Sequence, residues 1–208
     1  MAPVVSDAVS RREARMRGAA RSLFLELGYR VSMDAVAQRA GVSKQTVYAH
    51  FGDKQQLFKC VVLQMLESDA PPPGDDGELR DDLVAFARAH LTNIYRADSV
   101  AACRMLIGEA ARFPAEALAL YEAAAARIQV RLKARLSRAV GSGQLRDVDL
   151  QSAADLLLGM LDGTDHHRRL FGLAGRDGVE IDDWSDFAVD AFLRAFSIEF
   201  ATSTRKQS

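Results

Sequence analysis

The sequence predicts an all-α protein of about nine helices, arranged as a small N-terminal head and a larger helical body. Three observations predict it. Apolar residues recur at spacings of three and four along most of the chain, the period of a helix with one buried face. Ala and Arg are abundant while β-branched residues are thin, which favours helix over strand. Pro71, Pro72 and Pro73, followed by Gly74 to Gly77, then forbid helix and mark the clearest boundary in the chain.

Residues 1–9 are expected to form a flexible tail, and a first helix to run from Ser10 to about Leu27, where Gly28 stops it. Ala20, Leu23, Phe24 and Leu27 face inward, and Arg11, Arg12, Arg15 and Arg17 line the other side. A short second helix carries Met33, Val36, Ala37 and Ala40 on one stripe and ends at Gly41. Ser43 stands where an N-cap belongs, with Gln45 or Thr46 supplying the amide it accepts from. A third helix follows through Val47 and Phe51, and a fourth through Leu57, Phe58, Val61, Val62 and Met65. The head therefore covers residues 10–69, and the proline-stiffened spacer precedes a body over 78–203.

Five helices are predicted in the body. They run from Glu78 to about Arg96, from Ser99 to Arg112, and from Pro114 to about Val140. The fourth is capped by Asp149 and reaches about Leu170; the last is capped by Asp182 or Asp183 and reaches about Thr202.

Helix, glycine turn and short polar-faced helix over residues 32–54 is the arrangement that inserts a recognition helix into the DNA major groove. Val47 and Phe51 anchor the second helix, leaving Lys44, Gln45, Thr46, Tyr48 and His50 to point elsewhere. Gln presents a bidentate donor and acceptor to adenine, Thr a hydroxyl and methyl, and Lys a charge for guanine or phosphate. Tyr48 and Lys54 suit phosphate oxygens, which fix register without reading sequence. Ser32 and Ser43 complete the candidate DNA-contacting set.

The segment AVAQRAGVSKQTVYAHFGDKQQLF resembles the DNA-binding signature of TetR-type transcriptional regulators, and the similarity extends back through AARSLFLELGYRVSMD to cover about residues 11–66. RMLIGEAARFPAEALALYEA is similar, more softly, to the body of the AefR-like subgroup. The resemblance implies a nine-helix architecture with a three-helix DNA-binding head. It also implies a homodimerising, ligand-binding body, and repression relieved by a small-molecule effector.

Charge distribution agrees with one end meeting phosphate. The chain carries a net charge of −1, yet residues 1–60 hold 10 Lys/Arg against 5 Asp/Glu, and the remainder holds 17 against 23. The two cysteines, Cys60 and Cys103, are too few for a disulfide framework and lack zinc-site neighbours. A thiol switch between them is the sharper reading, and two inert buried thiols the favoured one. No apolar run approaches the ~20 residues needed to span a bilayer, and no apolar signal core precedes the first helix, so a cytoplasmic protein without membrane contact is expected.

In the body, Phe86, His90, Met105, Glu109, Phe113, Leu118, Tyr121, Asp162 and His166 are candidate ligand-binding residues, being polar groups on apolar helix faces and their neighbours. Asp162 and His166, four apart, can also meet each other without any ligand. Leu157, Leu161, Phe187, Ala191, Phe192 and Phe196 are the candidate dimerisation residues. No cofactor or metal is expected, because adjacent histidines such as His166 and His167 diverge by about 100° on a helix. Two alternatives compete with the regulator: a helical enzyme or metal-binding protein using Glu109, His90 and His166, and a DNA-binding architectural module without a small effector. Nothing in the sequence carries a phosphate loop or a nucleophile-and-base signature, so an enzyme is the poorer reading.

Overall fold

Helix follows helix from Val4 to Phe196 in the computed structural model, which describes residues 4–67 and 77–198, with side chains from Ser10 onward. Among the described residues there are nine α-helices: α1 (Val4–Leu27), α2 (Met33–Ala40), α3 (Lys44–Phe51), α4 (Lys54–Leu66), α5 (Leu79–Ile94), α6 (Ala97–Ala110), α7 (Pro114–Gly141), α8 (Leu150–Leu170) and α9 (Gly178–Phe196). A 3₁₀ turn at Gly28–Arg30 links α1 to α2. The β-type pairing among these residues is an isolated antiparallel bridge between Leu145 and Ser197. The all-α expectation holds. The expected proline boundary at 71–74 and the expected terminus near Thr202 lie outside the described residues.

The chain divides into two compact units. Among the described residues the first comprises 4–67 and 101–121; the second comprises 77–100 and 122–198. Residues 101–121, part of the expected body in the sequence reading, therefore cluster with the N-terminal helices.

The first unit is built on one apolar core. Met16, Ala20, Leu23 and Phe24 of α1 meet Val36, Val47, Phe51, Leu57, Phe58 and Val62, with Ala102, Leu106 and Leu120 joining the same cluster. Burying each of the larger side chains stabilises by about 1.5–3 kcal/mol relative to exposure. Phe24 and Phe58 meet edge-on with centroids 5.1 Å apart, a favoured aromatic geometry. The helix α1 starts six residues before the expected Ser10, so the backbone of residues 4–9 is helical where a tail was expected.

In the second unit, α5, α8 and α9 pack around Leu83, Ala87, Leu91, Leu157, Leu161, Val189 and Phe192, joined by Leu132 and Leu136 of α7. Arg80 and Arg88, eight residues apart on α5, meet the acidic face of α9. Arg80 pairs with Asp186 at 2.8 Å and Asp190 at 2.7 Å, and Arg88 with Asp182 at 3.1 Å and Asp186 at 2.7 Å. These carboxylates push the Arg80 guanidinium further up, and the hydrogen bond from Arg80 in turn holds Asp190 low. A deeper pair joins α7 to α5: Arg135, 3% exposed, donates from Nε to Asp82 at 2.8 Å and from an Nη to Gly77 carbonyl at 3.3 Å.

The start of the last helix also differs from the sequence reading. The last helix starts at Gly178, not at Trp184, because Glu180 in its first turn accepts from the Asp177 amide at 3.2 Å. It ends at Phe196, where Ser197 turns extended and the Arg146 amide donates to the Phe196 carbonyl at 2.9 Å. Inside α8, Gly163 adopts φ 50° and ψ −150° and breaks the helix. The indole Nε1 of Trp184 donates to the Leu161 carbonyl at 2.9 Å beside that break, giving a disrupted helix a partner for its backbone.

Candidate DNA-binding interface

Local chemistry sets the angle between α2 and α3. Ser32 caps α2 by accepting from the Ala35 amide at 3.1 Å, and Ser43 caps α3 by accepting from Thr46 at 3.2 Å. Between them Gly41 takes φ 64° and ψ 41°, the left-handed stop that glycine adopts without steric cost. The Val42 amide returns to the Ala37 carbonyl at 3.0 Å, closing the turn. Met33, Val36, Ala37 and Ala40 of α2 and Val47 and Phe51 of α3 are all buried. These six anchors fix which side of α3 looks outward.

That outward side carries the expected residues. Lys44, Gln45, Tyr48 and His50 are exposed, while Thr46 is half-buried with its hydroxyl 2.9 Å from Ser43 Oγ. The hydroxyl pair holds Thr46 toward the cap, so Thr46 is the most constrained of the set. Lys44 Nζ lies 2.9 Å from Asp34 Oδ1 on α2, and this hydrogen bond raises the ammonium above its ordinary value. Lys44 Nζ also stands 5.8 Å from the centroid of Tyr48. His50 Nε2 lies 3.3 Å from Glu13 Oε2, and Arg17 bonds the same carboxylate, so His50 first and Arg17 second hold Glu13 below its usual range.

Lys54 takes a different environment. It is half-buried, with Nζ 4.2 Å from the Tyr29 ring centroid, and burial pushes the ammonium down, aided by repulsion from Arg112. A phosphate would therefore compete with an aromatic face for this side chain. Arg11, Arg12 and Arg15 are exposed on α1, whereas Arg17 is tied to Glu13. Sequence reasoning missed Asp34 and Glu13, which brace Lys44 and His50. Their partners lie ten or more residues away in sequence, so no helical spacing announces them.

The candidate ligand residues separate between the two units. Met105, Glu109, Phe113, Leu118 and Tyr121 belong to the first; Phe86, His90, Asp162 and His166 belong to the second. Leu118 and Tyr121 are more than half exposed, which corrects the expectation that they face inward. Glu109 and Phe113 line a cavity with Tyr29, Phe58 and Leu120. In the second unit His90 is buried, stacked on Phe86 with the rings at 8°, and donates from Nε2 to Asp162 Oδ1 at 2.7 Å. Asp162 thus has a partner on α5, and the Gly163 break falls between it and His166. The Nδ1 of His166 is buried without a hydrogen-bond partner, and desolvation lowers that imidazole below its ordinary value.

Of the candidate dimerisation residues, Leu157, Leu161 and Phe192 are fully buried in the second unit's own core, which corrects their assignment as contact surface. Phe187 is 57% exposed, and Ala191 and Phe196 are half-buried. Cys60 and Cys103 are both half-buried thiols of the first unit. Among the described residues, no group of three or more His, Cys, Asp or Glu side chains is placed to hold a metal ion. No helix of the described residues is long and apolar enough to cross a membrane.

Two capped helices set by a left-handed glycine, with an outward polar face on the second, define a helix-turn-helix protein of the DNA-binding class. Comparison with known proteins then assigns the family. Residues 18–61 match the N-terminal domain of the bacterial regulatory proteins of the tetR family, and residues 81–198 match the AefR-like transcriptional repressor C-terminal domain. The chain belongs to the TetR family of transcriptional regulators. Among solved structures it is similar to the flavonoid-responsive regulator FrrA, at 32% identity and TM-score 0.81, covering 91% of this chain and 98% of that one. A TetR transcriptional regulator from Agrobacterium tumefaciens is 27% identical with TM-score 0.76, covering 92% and 97%. A curated relative, the uncharacterized HTH-type transcriptional regulator Rv1556 of Mycobacterium tuberculosis (strain ATCC 25618 / H37Rv), is 38% identical over 76 residues. That match spans 36% of this chain and 37% of the relative, little more than a third of either.

Proposed function

We propose that the chain acts in the cytoplasm as a homodimeric repressor, reading a palindromic operator through two copies of α3 and released by a small-molecule effector. The observation that carries this reading is the outward set Lys44, Gln45, Tyr48 and His50 on a helix anchored by buried Val47 and Phe51. Gln45 is the base reader in this proposal, Tyr48 a phosphate ligand, and Lys44 a charge released from Asp34 when phosphate approaches. A head this small gains specificity by pairing two half-sites one helical turn apart. Phe187 and Ala191 of α9, with the exposed Leu156 of α8, supply an apolar face for that pairing.

The effector site proposed for the second unit is the polar group His90, Asp162 and His166 beside Phe86. The unpartnered His166 Nδ1 supports it, since a ligand group there would satisfy a buried atom. FrrA is described as flavonoid-responsive, so planar polyphenols are the first effector class to screen. Release then follows from differential affinity: an effector favouring the conformation that DNA disfavours lowers operator affinity, and DNA lowers effector affinity by the same factor.

Selection of bound genomic fragments, followed by mobility shifts at several salt concentrations, tests the reading. Operator affinity should fall steeply with salt, by a logarithmic slope of about −0.9 per phosphate contacted. Gln45→Ala should lower discrimination at one base pair by ~1–3 kcal/mol, whereas Tyr48→Ala weakens all sequences alike. If neither variant changes operator affinity at fixed salt, α3 is not the reader. Phe187→Asp should shift sedimentation toward monomer and weaken operator binding with it; an unchanged dimer would remove α9 from the interface.

A further inference from the structure

The first unit carries a partly open pocket that operator reading does not use. Tyr29, Phe58 and Phe113 supply aromatic walls, and Leu106, Gln55 and Glu116 are among its other lining residues. Tyr29 meets Phe58 nearly edge-on at 5.2 Å between centroids, and Phe113 at 5.0 Å with the planes tilted by 59°. The ring faces and edges turned to the pocket suit a further ring in edge or offset contact. The volume, about 170 Å³, decides the size of guest. An apolar cavity of roughly 150 Å³ holds benzene, so this one has room for a single ring.

Charge decides the rest. Lys54 Nζ sits 4.2 Å from the Tyr29 centroid, and the Arg112 guanidinium sits 5.6 Å from Tyr29 and 5.0 Å from Phe113. Lys59 lines the cavity as a third cation. Against them stand Glu109 and Glu116 in the lining and Asp53, whose charge acts on Tyr29. The three cations balance the three anions, so neither a carboxylate nor an amine guest gains from the site. A cationic guest would in addition displace Lys54 or Arg112 from ring faces they already cover. The remaining polar chemistry is hydrogen bonding. Gln55 Nε2 donates to Glu116 Oε1 at 2.8 Å, which leaves the amide carbonyl as an acceptor for a hydroxyl.

We propose that this cavity binds a small neutral phenol, one aromatic ring bearing one or two hydroxyl groups, as a site separate from the residues around His90 and Asp162. Gln55, Gln56, Phe58 and Lys59 of its lining lie on α4, the helix that follows α3. Occupancy therefore bears on the element to which the recognition helix is joined. That consequence rests on the repressor reading; phenol binding itself does not.

The test uses the full chain without DNA, titrated by calorimetry or ligand-observed NMR with phenol, catechol, cyclohexanol and benzoate. Phenol and catechol should bind about tenfold tighter than cyclohexanol or benzoate, a difference of ~1.4 kcal/mol. Ala117→Phe, which places a ring into the lining, should weaken phenol binding by about tenfold or more at an unchanged melting temperature. Gln55→Leu, at a half-buried polar position, should remove the preference for phenol over benzene while benzene still binds. Absence of phenol binding at millimolar concentration overturns the proposal, as does equal binding by folded Ala117→Phe or a retained preference in Gln55→Leu. Operator affinity of the same preparation, measured without phenol, tests the repressor reading separately.

Discussion

In the helix-turn-helix segment the contacts that fix the backbone span three to five residues: Ser32 to Ala35, Ala37 to Val42, Ser43 to Thr46. In the second unit the corresponding polar contacts join residues 53 to 110 positions apart: Asp82 to Arg135, His90 to Asp162, Arg80 to Asp190. The first arrangement lets a small element hold its shape from its own sequence, which suits a part that must meet DNA with a fixed outward face. The second makes each helix depend on distant partners. Damage to it should therefore spread through the unit, while damage to the turn should remain local and be read mainly at the operator.

The largest expected effect comes from the most buried of the long-range pairs. Arg135→Ala leaves Asp82, whose side chain is 11% exposed, without its guanidinium, and breaking such a largely buried pair costs about 3–5 kcal/mol. Urea denaturation should show that loss as a shift of the midpoint. Replacing both partners by apolar residues, Asp82→Leu with Arg135→Met, should restore most of it, because a buried pair contributes little beyond an apolar contact of similar volume. A single variant as stable as wild type would mean that Asp82 finds water instead, and the contrast between the regions would weaken.

Gly41→Ala tests the local side. A Cβ at Gly41 meets nothing within 4 Å, so the penalty is backbone conformation alone. Holding an L-residue in the left-handed region costs roughly 1–2 kcal/mol. Thermal melts should register that loss. Operator affinity should fall further than stability predicts if the α2–α3 angle relaxes. A variant with full affinity and reduced stability would show that the angle survives without the glycine.

These two variants also mark what the sequence could disclose. Gly41, Ser43, Val47 and Phe51 were legible because capping, turn and helical spacing act over three or four residues. The nine helices were legible for the same reason. The start of α9 was not: the sequence reading put the cap at Asp182 or Asp183, whereas packing and the bond from the Asp177 amide to Glu180 start the helix at Gly178. Leu157, Leu161 and Phe192 showed apolar stripes, yet a stripe does not say whether its cover is the same chain or a second copy. The aromatic cavity was half visible. Glu109 and Phe113 were named, but Tyr29 and Phe58 join them from eighty to fifty residues upstream, which no periodicity records.

Ser43→Ala should be smaller again, at about 1 kcal/mol, and Ser43→Gly only a few tenths, since glycine is tolerated at an N-cap and alanine is not. Because Ser43 also holds Thr46 Oγ1 at 2.9 Å, the alanine variant frees the Thr46 hydroxyl. Base preference beneath Thr46 should broaden in a binding-site selection. An unchanged preference would confine Ser43 to capping.

The smallest effect probes the exception to the comparison, a longer-range contact within the DNA-binding segment. Glu13 of α1 is held low chiefly by its hydrogen bond with His50 of α3 and secondly by Arg17. A depressed carboxyl stabilises the fold above the ordinary Glu range, and this contribution disappears as pH falls through the lowered folded-state value. Since Glu13 is 30% exposed, solvent screening limits the contribution to less than about 1 kcal/mol. Wild type and Glu13→Gln should therefore differ in denaturation free energy at pH 6 and converge as pH drops through the acid range. Curves that stay parallel down to pH ~3, below the ordinary Glu value of about 4.3, would remove the charge on Glu13 from the stability of this segment. Its brace on His50 would then matter only when phosphate competes for the imidazole, as a cost in affinity at the operator.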